Sequence, residues 1–176
     1  MVGAKQNSDT LNATLVKIAN ILNDNGINGW FICYGTLLGI VRENSCIDGD
    51  DDIDIVIHKS KYDKLRRVLI ENGFDISSII RREGSEKFIL KPRMKNYSSI
   101  DIYMAEFNDE NVYDLWNHLN IKDCFLDNFL QTFLEVKWRG TTLYLPNNYK
   151  RILENRYGSS WRVKYDGKIK RTMKEL

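Results

Sequence analysis

Apolar residues recur at helical spacing near the start of the chain: Leu11, Leu15, Ile18, Ala19 and Leu22 share one face, Ser8 is placed to cap it, and Gly26 stops it. The pattern then shortens. Residues 30–34 form an apolar run of strand length, Gly35 interrupts it, and 36–42 predict a brief helix, so a strand enters a helix through a Gly-Thr turn. Ile53, Ile55 and Ile57 alternate with Asp52, Asp54 and Val56, a period of two that predicts a strand. Ser60 caps a helix carrying Tyr62, Leu65, Val68 and Leu69 on one face, and Gly73 closes it. Strand-like runs follow at 74–80, 87–90 and 99–105, separated by Gly84 and Pro92. The segment 109–130 lacks a clean period and is read as partly helical. Leu134, Val136 and Trp138 alternate up to Arg139-Gly140, and 141–145 return, which predicts a hairpin. Asn147 caps a last helix with Tyr149, Ile152, Leu153 and Tyr157 on one face, ended by Gly158.

These elements predict an α+β fold, a mixed sheet with flanking helices plus a small C-terminal hairpin and helix. The expected organisation is one domain over 1–176: an N-terminal helix (1–26), a catalytic core (27–107), a helical and hairpin part (108–161) and a basic tail (162–176). With 43% hydrophobic residues, 28% charged and two prolines, the composition excludes collagen-like, mucin-like and disordered classes. Twenty-six basic residues against 24 acidic leave a formal charge of +2, so no global field favours nucleic acid, and none is expected as a partner. No apolar run approaches the ~20 residues needed to span a bilayer, and the first ten residues are polar; neither a transmembrane segment nor a signal peptide is expected. Cys33, Cys46 and Cys124 have no CxxC spacing, which argues against a disulfide framework and a zinc site and for inert packing in a reducing, cytoplasmic location.

Local charge carries the chemistry. Five of the seven residues from 48 to 54 are aspartates: Asp48, Asp50, Asp51, Asp52 and Asp54. Two carboxylates ~4 Å apart repel by ~4 kcal/mol at an effective dielectric near 20, so such a cluster is either dispersed into water or neutralised by a cation. Asp is depleted from strands, yet Asp52 and Asp54 lie inside the isoleucine alternation, with both carboxylates leaving one face about 6.6–6.8 Å apart along the backbone. That spacing suits convergence on a hard cation such as Mg²⁺, which takes oxygen ligands and keeps waters for a phosphate to replace. A calcium-loop reading fails, because the required sixth-position Gly falls on Ile53 or Ile55. Asp101, flanked by Ile100 and Ile102, completes a three-carboxylate site if its strand lies beside the first. Gly35-Thr36 supplies the complement, since a helix N-terminus exposes unpaired N–H groups and glycine lets an anion approach.

Residues 34–42, Tyr-Gly-Thr-Leu-Leu-Gly-Ile-Val-Arg, followed by Ile47, by Asp-Asp-Asp-Ile-Asp-Ile over 50–55 and by Asp101, resemble the LicD/fukutin family of phosphotransferases, built on the nucleotidyltransferase fold shared with polymerase-β-like enzymes. Residues 145–161 are similar to that family's C-terminal segment, whereas Asp48-Gly49 stand where the family often shows Pro-Trp. The resemblance implies metal-binding, catalytic carboxylates at Asp52, Asp54 and Asp101, a phosphate-contacting turn at Gly35 and Thr36, and a motif arginine at Arg42. Asp50 and Asp51 match the motif in supporting roles. Lys91 and Arg93, on either side of Pro92, are further phosphate-clamp candidates.

The implied reaction is Mg²⁺-dependent transfer, with Mn²⁺ as the alternative ion, of a phosphorylated alcohol such as phosphocholine or a polyol phosphate. The donor is CDP-linked and the acceptor a hydroxyl of a glycan or glycolipid. Nucleotidyl transfer from an NTP to a small hydroxylated acceptor uses the same scaffold and is the competing reading. A DxD glycosyltransferase has no place for the Gly-Thr helix, and a non-catalytic module leaves the motif carboxylates without a purpose. The basic residues of 162–176 suit either a solvated tail or contact with an anionic membrane surface.

Overall fold

A computed structural model describes residues 5–76 and 88–164. Helix α1 (Ser8–Asp24) buries Leu11, Leu15, Ile18 and Leu22 on its apolar stripe. Its cap is Asn7, whose side chain accepts from the Thr10 N–H, rather than the expected Ser8, whose own N–H donates to Asp48 Oδ1 at 3.0 Å. Strand β1 (Trp30–Ile32) leads into helix α2 (Tyr34–Glu43), which opens at Tyr34, two residues before the expected start. Strand β2 (Asp52–His58) follows, then a 3-10 turn (Lys59–Lys61) and helix α3 (Tyr62–Glu71). Ser60 therefore sits inside that turn, its N–H donating to His58 Nδ1, instead of capping α3.

Strands β3 (Ile89–Leu90), β4 (Ser99–Phe107), β5 (Asn111–Asp114) and β6 (Leu119–Lys122) complete a six-stranded sheet in the order β1-β2-β4-β5-β6. β2 and β4 are parallel, so a crossover must join them, and α3 lies in that connection. β4 is long enough to serve two partners, pairing with β3 through Ile102 and Tyr103 and with β5 through Ala105 to Phe107. Of the expected run 74–80, Asp75 bridges Arg93 and residues 77–80 lie outside the described residues, as does Lys87.

The partly helical reading of 109–130 is corrected: 111–122 form the β5–β6 hairpin, and 123–130 are turns and irregular chain. Val112 and Asp114 alternate inward against Leu119 and Ile121, a period of two that is too short within each strand to stand out. The Asp114 carboxylate makes the turn by accepting the N–H groups of Trp116 and Asn117 at 2.8 and 3.0 Å. Strands β7 (Leu134–Trp138) and β8 (Thr141–Leu145) form the expected hairpin, and helix α4 (Tyr149–Tyr157) follows Asn148, one residue later than the expected cap. Of the expected basic tail, residues 165–176 lie outside the described residues.

The fold is thus mixed α+β. β2 is buried on both faces, with α2 against it on the side of the aspartates, so the alternation of Ile and Asp separates hydrocarbon core from chemistry rather than core from solvent. All three cysteines are buried and free of disulfides. No helix among the described residues is long and apolar enough to cross a membrane.

Candidate active site

Register decides where the carboxylates meet. In the parallel β2–β4 pair Asp54 stands directly opposite Asp101, and Asp52 lies two residues upstream on the same face of β2. The Tyr103 hydroxyl lies between the two opposed acids, 3.2 Å from Asp54 Oδ1 and 3.4 Å from Asp101 Oδ2. Asp50, Asp51 and Asp52 offer oxygens that all lie within 4.8 Å of one another. Among the described residues these three are the acids whose oxygens come that close together; Asp54 and Asp101 stand outside that group, opposed across the two parallel strands and bridged by the Tyr103 hydroxyl.

The Gly35-Thr36 turn grips this patch from the α2 side. The Gly35 N–H donates to Asp54 Oδ2 at 3.0 Å, and Thr36 Oγ1 accepts the Asp54 N–H at 2.8 Å. A Cβ on Gly35 would fall 2.6 Å from Asp50 Oδ2, so only glycine leaves room for that carboxylate. The anion held by the turn in this structure is therefore the protein's own Asp54. Gly39, one helical turn on, has a different reason: its absent side chain lets the Ser45 carbonyl and the Ile47 amide pass 2.6 and 2.9 Å from the Cβ position.

The turn is itself pinned. Tyr34 has φ of 50°, a left-handed conformation that bulky residues rarely adopt, and it is buried. Its hydroxyl donates to the fully buried Asp114 carboxylate, which also accepts Asn117 Nδ2 at 2.9 Å. The Arg156 guanidinium lies 4.2 Å from the Tyr34 ring centroid, and Tyr103 meets that ring edge-on at 5.2 Å. Sequence reading passed over Asp114 and Arg156, which lie far from the motif. Tyr103 carried a legible signal, being two residues from Asp101 and thus on the same strand face.

Burial away from water pushes the Asp54 carboxyl up to about 7, with Asp50 and Asp101 repelling its charge and the Gly35 N–H and Tyr103 opposing the shift. Asp52 is pushed up to about 8, again mainly by burial and then by Asp54 and Asp101. These are acids packed more closely than their charge allows. An all-oxygen set of this kind fits a hard divalent cation, which would remove the repulsion.

The cationic candidates are placed differently from one another. Lys91 Nζ forms an ion pair with Asp101 Oδ2. Arg93 is exposed, its backbone paired with Asp75. Arg42 lies at the far end of α2 from Gly35, roughly 10 Å along the axis, with its guanidinium on Glu43, which also receives Lys164 at 3.0 Å. A cavity of about 430 Å³ lined by Trp30, His58, Phe107, Phe133 and Tyr144 lies at the opposite end of β2 and contains none of the motif aspartates.

The Thr36 contact gives a direct test. Thr36→Val removes the acceptor of a buried N–H while keeping shape, and is expected to lower stability by ~1–3 kcal/mol. Thermal unfolding measures it, and an unchanged Tm would show that this hydrogen bond does not hold Asp54.

The model of the LicD/FKTN/FKRP nucleotidyltransferase domain matches residues 28–148. Ribitol 5-phosphate transferase FKRP from Homo sapiens and that from Mus musculus are each 25% identical to this chain over 164 residues. The match covers 84% of this chain but 31% of either relative, so the chain spans about a third of their length. Among solved structures, the lincomycin-bound lincosamide antibiotic adenylyltransferase LnuA superposes with a TM-score of 0.56 at 14% identity, over 80% of this chain and 83% of that one. The antibiotic-resistance factor ANT(2'')-Ia does so with a TM-score of 0.58 at 12% identity, over 87% and 73%. At such identities the likeness is one of fold.

Proposed function

Because the chain belongs to the LicD/FKTN/FKRP nucleotidyltransferase-domain family, we propose that it transfers a phosphorylated alcohol, phosphocholine or a polyol phosphate, from a CDP-linked donor to a hydroxyl of a glycan or glycolipid. The observation that carries this reading is the opposition of Asp54 and Asp101 across two parallel strands, with Asp52 beside them and the Gly35-Thr36 turn behind. Asp52, Asp54 and Asp101 would hold Mg²⁺ or Mn²⁺. Bound there, the ion supplies positive charge against the donor's diphosphate and helps fix its orientation.

The chain's own groups do the rest. The Gly35 N–H holds the Asp54 carboxylate in the row, and the Thr36 hydroxyl, by accepting the Asp54 N–H, holds the backbone beneath it. Asp101 is the acid assigned to the acceptor hydroxyl, whose proton its carboxylate takes as the oxygen attacks the donor's alcohol-bearing phosphorus and the P–O bond to CMP breaks, releasing CMP. Lys91 lies beside that carboxylate and is the nearer of the two basic residues flanking Pro92 to serve the donor's phosphates. Arg42, held by Glu43, is assigned to bracing the end of α2 rather than to the reacting groups.

Product analysis tests the reaction class. With Mg²⁺ and a panel of CDP-choline, CDP-ribitol, CDP-glycerol and NTPs, the expected result is stabilisation by a CDP-linked donor and release of CMP in the presence of acceptor. Pyrophosphate released from an NTP, with no response to any CDP-linked compound, would instead establish nucleotidyl transfer.

A further inference from the structure

Continuing the β3–β4 register by one residue places Lys91 directly across from Asp101, since Leu90 pairs with Ile102 and Ile89 with Tyr103. Asp101 is in turn directly across β4 from Asp54. A lysine and two aspartates therefore form one row over three strands, on the same face as the Tyr103 hydroxyl that touches both acids. Pro92, buried, follows at once and fixes the backbone at the point where the β3 strand ends.

Lys91 Nζ rests on Asp101 Oδ2, and the Asp101 side chain is only 9% exposed. Among the ion pairs of the described residues this is the one that brings a cation to Asp52, Asp54 or Asp101. The same oxygen that the Tyr103 hydroxyl approaches is thus already engaged by a charge mounted on a flexible four-carbon stem. A compact ammonium is suited to that position because it can leave without rearranging the backbone that carries it.

We propose that Lys91 is a built-in counter-cation of the acid row, holding Asp101 when no divalent ion is present, competing with that ion for Asp101, and turning towards the donor's phosphates when displaced. The inference rests on the reading of Asp52, Asp54 and Asp101 as the metal-holding residues. It makes Lys91 a positioning residue whose two partners, a carboxylate and a phosphate, are engaged in alternation. Metal affinity in the absence of donor is accordingly set below what the acids alone would give, and donor and metal favour each other's binding because the phosphates offer the displaced ammonium a new partner.

The experiment is a Mn²⁺ titration of the full 176-residue chain without donor, followed by paramagnetic resonance of the free ion, together with thermal unfolding of the metal-free protein. Lys91→Met is expected to bind Mn²⁺ roughly tenfold more tightly than wild type, within the usual range for competing coupled ligands. Its metal-free Tm is expected to lie below wild type, and saturating Mn²⁺ to close that gap. Lys91→Arg, which keeps the charge, should return both quantities towards wild type. Mn²⁺ affinity in Lys91→Met equal to or weaker than wild type overturns the proposal. Asp54→Asn separates the two levels: if it abolishes Mn²⁺ binding while Lys91→Met leaves it unchanged, only the role of Lys91 fails. If neither wild type nor Lys91→Met binds Mn²⁺, the metal reading of the acids fails and the role of Lys91 with it.

Discussion

Asp54→Asn is expected to lower turnover by about three orders of magnitude, the equivalent of ~4 kcal/mol of transition-state stabilisation, while leaving the fold intact. Asn preserves the shape of the side chain and can still accept the Gly35 N–H through its amide oxygen, so the grip of α2 on β2 survives. What disappears is one negative charge of the acid row, the charge proposed to help hold the ion. The metal-free variant should be no less stable than wild type at pH 8, because a buried, repelled carboxylate has been replaced by a neutral group. Steady-state product formation under saturating Mg²⁺, paired with a melting curve, checks both halves. Wild-type turnover in this variant would remove Asp54 from the chemistry.

The second large effect is on stability against pH. Asp54 and Asp52 are raised from 3.8 to about 7 and about 8 in the folded chain, so between pH ~4 and those values the folded state retains protons that the unfolded state has released. Their contribution is therefore greatest at or below pH ~4 and is lost as pH rises through the folded values, at about 1.4 kcal/mol per pH unit for each proton retained. Above pH ~8 both groups are ionised in either state and the slope vanishes. The proposed Mg²⁺ would act in the opposite sense, since it would bind the ionised acids; at a hundredfold excess over its Kd it would restore ~2.7 kcal/mol at pH 8 and far less at pH 5. Chemical denaturation of wild type and Asp54→Asn across pH 5–9, with EDTA and with Mg²⁺, isolates the effect. A wild-type curve parallel to that of Asp54→Asn in EDTA would show that the Asp54 carboxyl is not raised.

The position of Asp114 shows why a motif is supported from so far away. A bulky residue at positive φ persists only when its surroundings over-determine it, and Tyr34 is held by a carboxylate from the end of β5, a guanidinium from α4 and a ring from β4. These contacts fix the backbone one residue before the N–H that holds Asp54. The aspartates are arranged from α2 as much as from their own strand.

The sequence by itself determined the helices α1, α3 and α4, the strands β1, β2 and β4, the β7–β8 hairpin and the acid-bearing face of β2. Each is written in a local signal: a stripe at helical spacing, an alternation of period two, or a glycine where the chain turns. It fell short at 109–130, where strands of four residues leave too few alternations to outweigh a composition rich in Leu, Trp and Asn. Only the tertiary structure decided that Asp54 faces Asp101, that Lys91 faces Asp101 from the other side, that the Gly-Thr turn holds an aspartate, and that Arg42 turns to Glu43. The reason is physical. Strand register and side-chain pairing join residues 10 to 80 positions apart, and which partners meet is fixed by how the whole sheet is stacked and buried, not by any stretch of the chain alone.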